Sequence, residues 1–105
     1  MIGEFELLVL LAVLRTADDA YGSAILAELQ SRSGRAVSRG ALYVTLDRLE
    51  TKGLLGSRTA GGTPARGGRP RRYYTVRAPG LKALRESLDA LARMREGLEL
   101  GLKHS

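Results

Sequence analysis

The residues with the clearest chemical vocabulary in this chain are arginines. Arg58, Arg66, Arg69, Arg71, Arg72 and Arg77 lie between residues 57 and 77 with no aspartate or glutamate among them. A guanidinium stays charged at every physiological pH and presents a planar fork of N–H donors that matches phosphate oxygens or base edges. The charge is local: residues 1–31 carry −4, 32–56 carry +3 and 78–105 carry +1, so this one stretch at +6 equals the net charge of the whole chain. Fourteen arginines against three lysines suit phosphate recognition, and a GC-rich genome produces the same bias. Other chemistry is scarce. There is no cysteine and a single histidine, His104, which excludes thiolate zinc sites, disulfides, Cys–His nucleophilic pairs and multi-histidine metal sites. With no carboxylates paired in a motif either, the reading is a protein that is not an enzyme and carries no metal and no cofactor.

The element best placed to accompany this basic stretch is a helix opening at Ser38. Ser38 is a good N-cap, and Val37 and Leu42 stand at the two ends of a hydrophobic staple. Leu42, Leu46 and Leu49, spaced by four and three, form a buried stripe. Gly40, Val44, Asp47 and Arg48 fall on the opposite face, with Arg39 and Tyr43 on the flank, and Gly53 stands where a glycine stops a helix. A glycine near the start of a sound helix costs about 1 kcal/mol relative to alanine. Gly40 therefore calls for a reason, either close approach by another backbone or packing against a second helix. Leu54 to Thr59 and Arg71 to Arg77 read as two strands, joined by a glycine-rich, arginine-bearing loop from Ala60 to Pro70.

A chain of 105 residues holds one domain, and 44% apolar with only 5% aromatic content makes its core one of Leu, Val, Ile and Ala. Glu4 to Arg15 is helical in length and apolar nearly all round, so it needs cover on one face from its own core and on the other from a second subunit. Its longest apolar run, Leu7 to Leu14, is eight residues, far short of a bilayer crossing, and Glu4 and Glu6 precede it where a signal peptide is basic. A cytoplasmic protein without a membrane segment is expected. Asp18 and Asp19 supply a turn and an N-cap for a second helix that places Tyr21, Ile25, Leu26 and Leu29 on one face and ends near Gly34. After Pro79 comes a last helix in which Leu81, Leu84, Leu88, Leu91, Leu98 and Leu102 recur at three and four, with Arg95 interrupting. Either this stripe covers its own domain or it meets a partner helix; its length beyond a filled core favours the partner.

Three helices, a basic hairpin and a final helix describe a mainly α (α+β) fold, a winged helix-turn-helix over 1–77 followed by a C-terminal dimerisation helix over 78–105 packed on the first helix. In that arrangement the third helix enters the major groove of double-stranded DNA and the hairpin follows the backbone or the adjacent minor groove. The stretch from Ser38 to Glu50, with Lys52-Gly53-Leu54-Leu55 after it, resembles the third helix and first strand of the PadR family of bacterial transcriptional regulators. Ala20-Tyr21-Gly22-Ser23-Ala24-Ile25 is similar to the start of the family's second helix, and Gly68-Arg69-Pro70-Arg71-Arg72-Tyr73-Tyr74-Thr75 to its wing. The resemblance covers about residues 5 to 80 and points to the short-tailed members. It implies a homodimeric repressor that binds an inverted-repeat operator and is released by a small-molecule effector or another signal, with the last helix forming the dimer interface with the first.

Base or groove contact is assigned to Arg39, Gly40, Tyr43 and Val44, with Ser38 setting the helix N-terminus against a phosphate. Arg69, Arg71 and Arg72 are the expected backbone contacts. Several positions have two readings. Tyr43 is either a groove contact or a half-buried core residue. Arg48 either reaches a phosphate or pairs with Asp47 or Glu50, and Tyr21 either offers its hydroxyl to phosphate or only packs. Tyr73 and Tyr74 point to opposite sides of their strand, so one packs and the other, taken as Tyr73, faces outward to DNA. Phe5, Leu8, Leu81, Leu84, Leu88, Leu91 and Leu98 are the expected dimer contacts. The competing class is a basic winged-helix module that binds RNA or an acidic protein.

Overall fold

A computed structural model describes residues 2–61 and 67–101. Four helices and one hairpin follow in the order α1 (Glu4–Thr16), α2 (Gly22–Ser33), α3 (Arg39–Thr51), β1 (Leu55–Ala60), β2 (Arg71–Val76) and α4 (Ala78–Arg95), with a single 3₁₀ turn, Ala17–Asp19, between the first two helices. Mainly helical with an antiparallel two-stranded wing, this is the winged helix-turn-helix that the element order implied.

The core forms where the apolar stripes of the helices converge. Leu10 and Val9 from α1, Ile25 from α2, Leu42, Leu46 and Leu49 from α3 and Leu55 from β1 are fully buried. Each such side chain contributes about 1.5–3 kcal/mol from removal of its surface from water, which outweighs the weak intrinsic preferences of short helices. The stripe anticipated for α3 is thus the buried face, and Ser38 caps that helix by accepting the Ala41 N–H at 3.1 Å. Gly53 follows the C-cap Lys52 with φ of 77°, the left-handed conformation that ends the helix and turns the chain into β1.

The hairpin pairs Leu55 with Val76, Ser57 with Tyr74 and Thr59 with Arg72, so β1 begins and ends one residue later than its composition suggested. A short third segment joins it: Tyr21 bridges Tyr73, and the Tyr74 N–H donates to the Ala20 carbonyl at 2.8 Å. That pairing corrects the expected start of α2. Asp18 and Asp19 lie in the 3₁₀ turn, and Tyr21 occupies the N-cap position without a side-chain cap, because its backbone is extended to lie along β2. Residues 62–66 of the inter-strand loop, Arg66 among them, lie outside the described residues.

Two further expectations meet the geometry of a single chain. On α1, Leu7, Val9, Leu10, Ala12 and Val13 are buried, whereas Phe5, Leu8 and Leu11 are half-buried and Leu14 is exposed, so one flank of this apolar helix is open. On α4, Leu84 is buried and Leu81 half-buried, while Leu88, Leu91 and Met94 are exposed. The helix ends at Arg95, so the stripe does not extend to Leu98 as the heptad spacing suggested. Glu96 leaves the helix with ψ of 132° and Gly97 takes φ of 78°, which carries Leu98 off the helical face. Leu102 lies outside the described residues.

Candidate nucleic-acid interface

The candidate surface combines the outward side of α3, the first turn of α2 and the hairpin. Because Leu42, Leu46 and Leu49 hold α3 to the core, Arg39, Gly40, Val44, Asp47 and Arg48 are left exposed. A Cβ built at Gly40 meets no atom within 4 Å. Packing of α3 against another helix of this chain is therefore not the reason for that glycine, and the outward side of the first turn is bare of side-chain bulk. Arg39 leans toward α2, its Nη1 donating to the Ser23 hydroxyl at 3.4 Å, a long bond that holds it weakly.

Tyr43 is partly buried, packed at its phenol end. It is 38% exposed, and its phenol end lies against Gly22, where a Cβ would come within 2.0 Å of the hydroxyl oxygen. Its ring spaces α3 from α2 and leaves one edge on the outward surface. Thr45, next to the stripe on α3, is buried as well. Arg48 is exposed, and Glu50, one of its two expected partners, is bound instead by Arg72 and Ser57.

On the hairpin, alternation separates Arg71 and Tyr73 from Arg72 and Tyr74. Tyr74 is the inward residue, 4% exposed, and burial pushes its phenol above the ordinary value. Tyr73 is half-buried and meets Tyr21 edge to face, with ring centroids 5.7 Å apart. The Arg71 guanidinium lies 4.0 Å from the centre of the Tyr21 ring, and that of Arg58 lies 4.8 Å from the centre of Tyr73. Two cations thus bracket two aromatic rings. Such stacking uses the flat face of a guanidinium and leaves its in-plane N–H donors for other partners. Tyr21 packs, and what it holds is Arg71. Arg69 is exposed beside Gly67 and Gly68, both in the left-handed conformation.

Arg58, Ser23 and Ser57 join this surface through tertiary placement, with no local sequence signal of their own. The register of Arg58 opposite Tyr73 is what makes it part of the stack. Among the described residues no group of His, Cys, Asp and Glu could hold a metal ion, and no helix is long and apolar enough to cross a membrane. The arrangement can bind an extended polyanion along the hairpin while admitting a groove wall close to the α3 backbone at Gly40.

Comparison with known proteins agrees. Residues 10–86, well over half of the chain, match the PadR-like family of transcriptional regulators. The transcriptional regulator Rv3488 of Mycobacterium tuberculosis is 38% identical over 89 residues, covering 85% of this chain and 79% of its own. Among solved structures, a PadR family regulator from Eggerthella lenta is 32% identical, with a TM-score of 0.62 over 87% of this chain and 83% of that one. A PadR-like transcription factor from Bacteroides fragilis is 28% identical, with a TM-score of 0.71 over 88% of this chain and 84% of that one. The basic hairpin, the capped helix with its bare first turn and these similarities lead to one assignment: the chain belongs to the PadR-like family of transcriptional regulators, DNA-binding proteins and not enzymes.

Proposed function

We propose that this regulator is a cytoplasmic homodimeric repressor that reads an inverted-repeat operator and is released by a small-molecule effector or another signal. The observation that carries the reading is the open face of α3. Gly40 has no neighbour within 4 Å of a Cβ and Val44 is 57% exposed, next to a hairpin on which Arg71 and Arg58 are held by aromatic rings. In this reading Arg39, Gly40, Tyr43 and Val44 enter the major groove, and the α3 N-terminus at Ser38 meets a phosphate. Arg48, Arg69 and Arg71 contact backbone phosphates, with Tyr21 beneath the last of these and Tyr73 beside Tyr21.

The open flank of α1 and the exposed Leu88 and Leu91 of α4 support the dimer. Leu8 of α1 and Leu91 of α4, together with Ile2, Leu7, Ala90 and Met94, border a largely apolar groove between the two helices. An uncovered stripe of this kind on a small domain is what a second copy buries. Two-fold pairing presents two α3 helices to successive major-groove faces, about 34 Å apart on the duplex.

The test is a footprint and a salt titration on a duplex selected by the protein from a random-sequence library. Two protected half-sites one helical turn apart, with a log–log salt slope near −7 for about eight neutralised phosphates, are expected. A slope shallower than about −2 would overturn the electrostatic reading. Efficient competition by tRNA would transfer the function to RNA binding.

A further inference from the structure

Arg72, the arginine that its sequence position makes a phosphate ligand, is engaged within the chain. Its Nε donates to the Ser57 hydroxyl at 3.0 Å and its Nη2 to Glu50 Oε1, while the Ser57 hydroxyl donates to Glu50 Oε2 at 2.5 Å. The three side chains close a ring of hydrogen bonds in which both Glu50 oxygens accept and Ser57 both donates and accepts. They come from three elements: Glu50 from the last turn of α3, Ser57 from β1 and Arg72 from β2. The guanidinium also lies 5.5 Å from the centre of the Tyr74 ring.

The position of this ring within the hairpin explains what it does. A two-stranded hairpin is marginal on its own, and the base of this one is anchored by Leu55 and Tyr74, both buried. Arg72 pairs with Thr59, two residues further toward the exposed tip than the Tyr74–Ser57 pair. Between α3 and β1 the chain bends at Gly53, where the Gly53 and Leu54 N–H groups donate back to the Glu50 and Leu49 carbonyls. The Glu50–Ser57–Arg72 ring spans that bend and ties the outer part of the hairpin to the C-terminal end of the groove-facing helix. Two of the five N–H donors of Arg72 are committed to fixed partners, one of them a carboxylate that offsets its charge and holds the guanidinium in place.

We propose that Glu50, Ser57 and Arg72 form a clamp that fixes the angle of the wing to α3, so that Arg72 is a positioning residue for DNA recognition and not one of the phosphate ligands. The clamp sets where the Arg71 and Arg58 side of the wing meets the backbone relative to the helix in the groove. This rests on the DNA-binding reading above, and it makes an electrostatically counterintuitive prediction: removing the negative charge of Glu50 weakens binding to a polyanion.

The experiment compares Glu50→Gln, Arg72→Gln, Ser57→Ala and the Glu50→Gln/Arg72→Gln pair on the full chain. Probes are a duplex that the wild-type protein selects from a random library and the unselected pool. The clamp predicts a loss of about three- to tenfold per protomer on the selected duplex for Glu50→Gln and for Arg72→Gln, the cost of ordering a loosened hairpin at the interface. The double variant should be no weaker than the worse single one, and discrimination between selected and unselected DNA should fall. Equal or tighter binding by Glu50→Gln overturns the proposal, as does a salt slope for Arg72→Gln that falls by about 0.9 per protomer, the mark of a lost phosphate contact. Glu50 and Arg72 are both partly exposed, so the variants should fold; if Glu50→Gln does not, Ser57→Ala and Arg72→Gln carry the comparison. Amide exchange in the absence of DNA separates this idea from the function on which it rests. Faster exchange in β1 and β2 of the variants supports the clamp even if no duplex is bound, and unchanged exchange refutes it.

Discussion

The phenol of Tyr43 on α3 is seated on Gly22, the first residue of α2. A Cβ at Gly22 would stand 2.0 Å from the Tyr43 hydroxyl oxygen and 2.6 Å from the ring carbon that bears it. The close approach of α3 to the start of α2 is therefore permitted by one missing methyl group. Gly22→Ala should cost about 1–2 kcal/mol through overpacking, read by urea unfolding. In a Tyr43→Ala background the same change should cost almost nothing, and strict additivity of the two substitutions would show that the contact is not responsible.

Gly40 presents the opposite case, a helical glycine beside empty space. Gly40→Ala should raise stability by about 0.5–1 kcal/mol, the ordinary gain in helix propensity. It should also weaken duplex binding, because a methyl group is added where a groove wall approaches. A raised Tm with undiminished affinity would remove the close-approach explanation.

Glu6 links the first helix to the third. Its carboxylate, 8% exposed, accepts from Lys52 Nζ at 2.8 Å and from the Gly3 N–H at 3.0 Å. The Lys52 hydrogen bond is the largest influence on it and holds its carboxyl below the ordinary 4.5, with burial opposing and the Gly3 bond and the charges of Lys52 and Arg48 assisting. A depressed value means stability that is complete above the ordinary pKa and lost as pH falls through the lower, folded-state value. Glu6→Gln should lose about 1–2 kcal/mol at neutral pH, a figure moderated by the half-exposed lysine, and the gap to wild type should narrow as pH falls below 4.5 and through the lowered folded-state value. Unfolding curves in a series from pH 7 into the acid range decide; a gap that does not narrow as pH falls refutes the ion pair as its source.

The exposed stripe on α4 can be tested by mass. Leu91→Glu places a charge on the surface that a second copy would bury, and sedimentation should report monomers. Far-UV circular dichroism should be unchanged, since Leu91 is 55% exposed in the single chain. An undiminished dimer mass would move the interface elsewhere.

Arg39 and Arg71 should separate the two kinds of contact. Arg71→Ala should weaken binding to all duplexes alike and flatten the salt slope by about 0.9 per protomer, whereas Arg39→Ala should change which sequences are preferred. Equal losses for Arg39→Ala on selected and random DNA would contradict its role as a base reader.

Much of the architecture was legible because it depends on local signals. Ser38 before a stripe at 42, 46 and 49 is a capped amphipathic helix in almost any surroundings, and two β-branched or aromatic runs either side of a glycine-rich loop mark a hairpin. The start of α2 was misread for a tertiary reason: Asp19 is a good capping residue, but Tyr21 is drawn into an extended pairing with Tyr73, fifty-two positions away. The end of α4 was misread because periodicity in leucine outlasts helical backbone once Glu96 and Gly97 depart from it without packing to hold them.

The sequence by itself determined the number and order of the elements, the apolar faces that build the core and the concentration of positive charge in one segment, since each follows from residue type and spacing along a local backbone. Tertiary structure decided how those charges are used. Arg71 and Arg72 are neighbours of the same type, and nothing in their order distinguishes them. The alternation of a strand sends one onto the ring of Tyr21 and the other into the carboxylate of Glu50. Only the pairing of the hairpin with the Ala20–Tyr21 segment on one side and the last turn of α3 on the other sets the first over an aromatic ring and makes the second a tie within the fold.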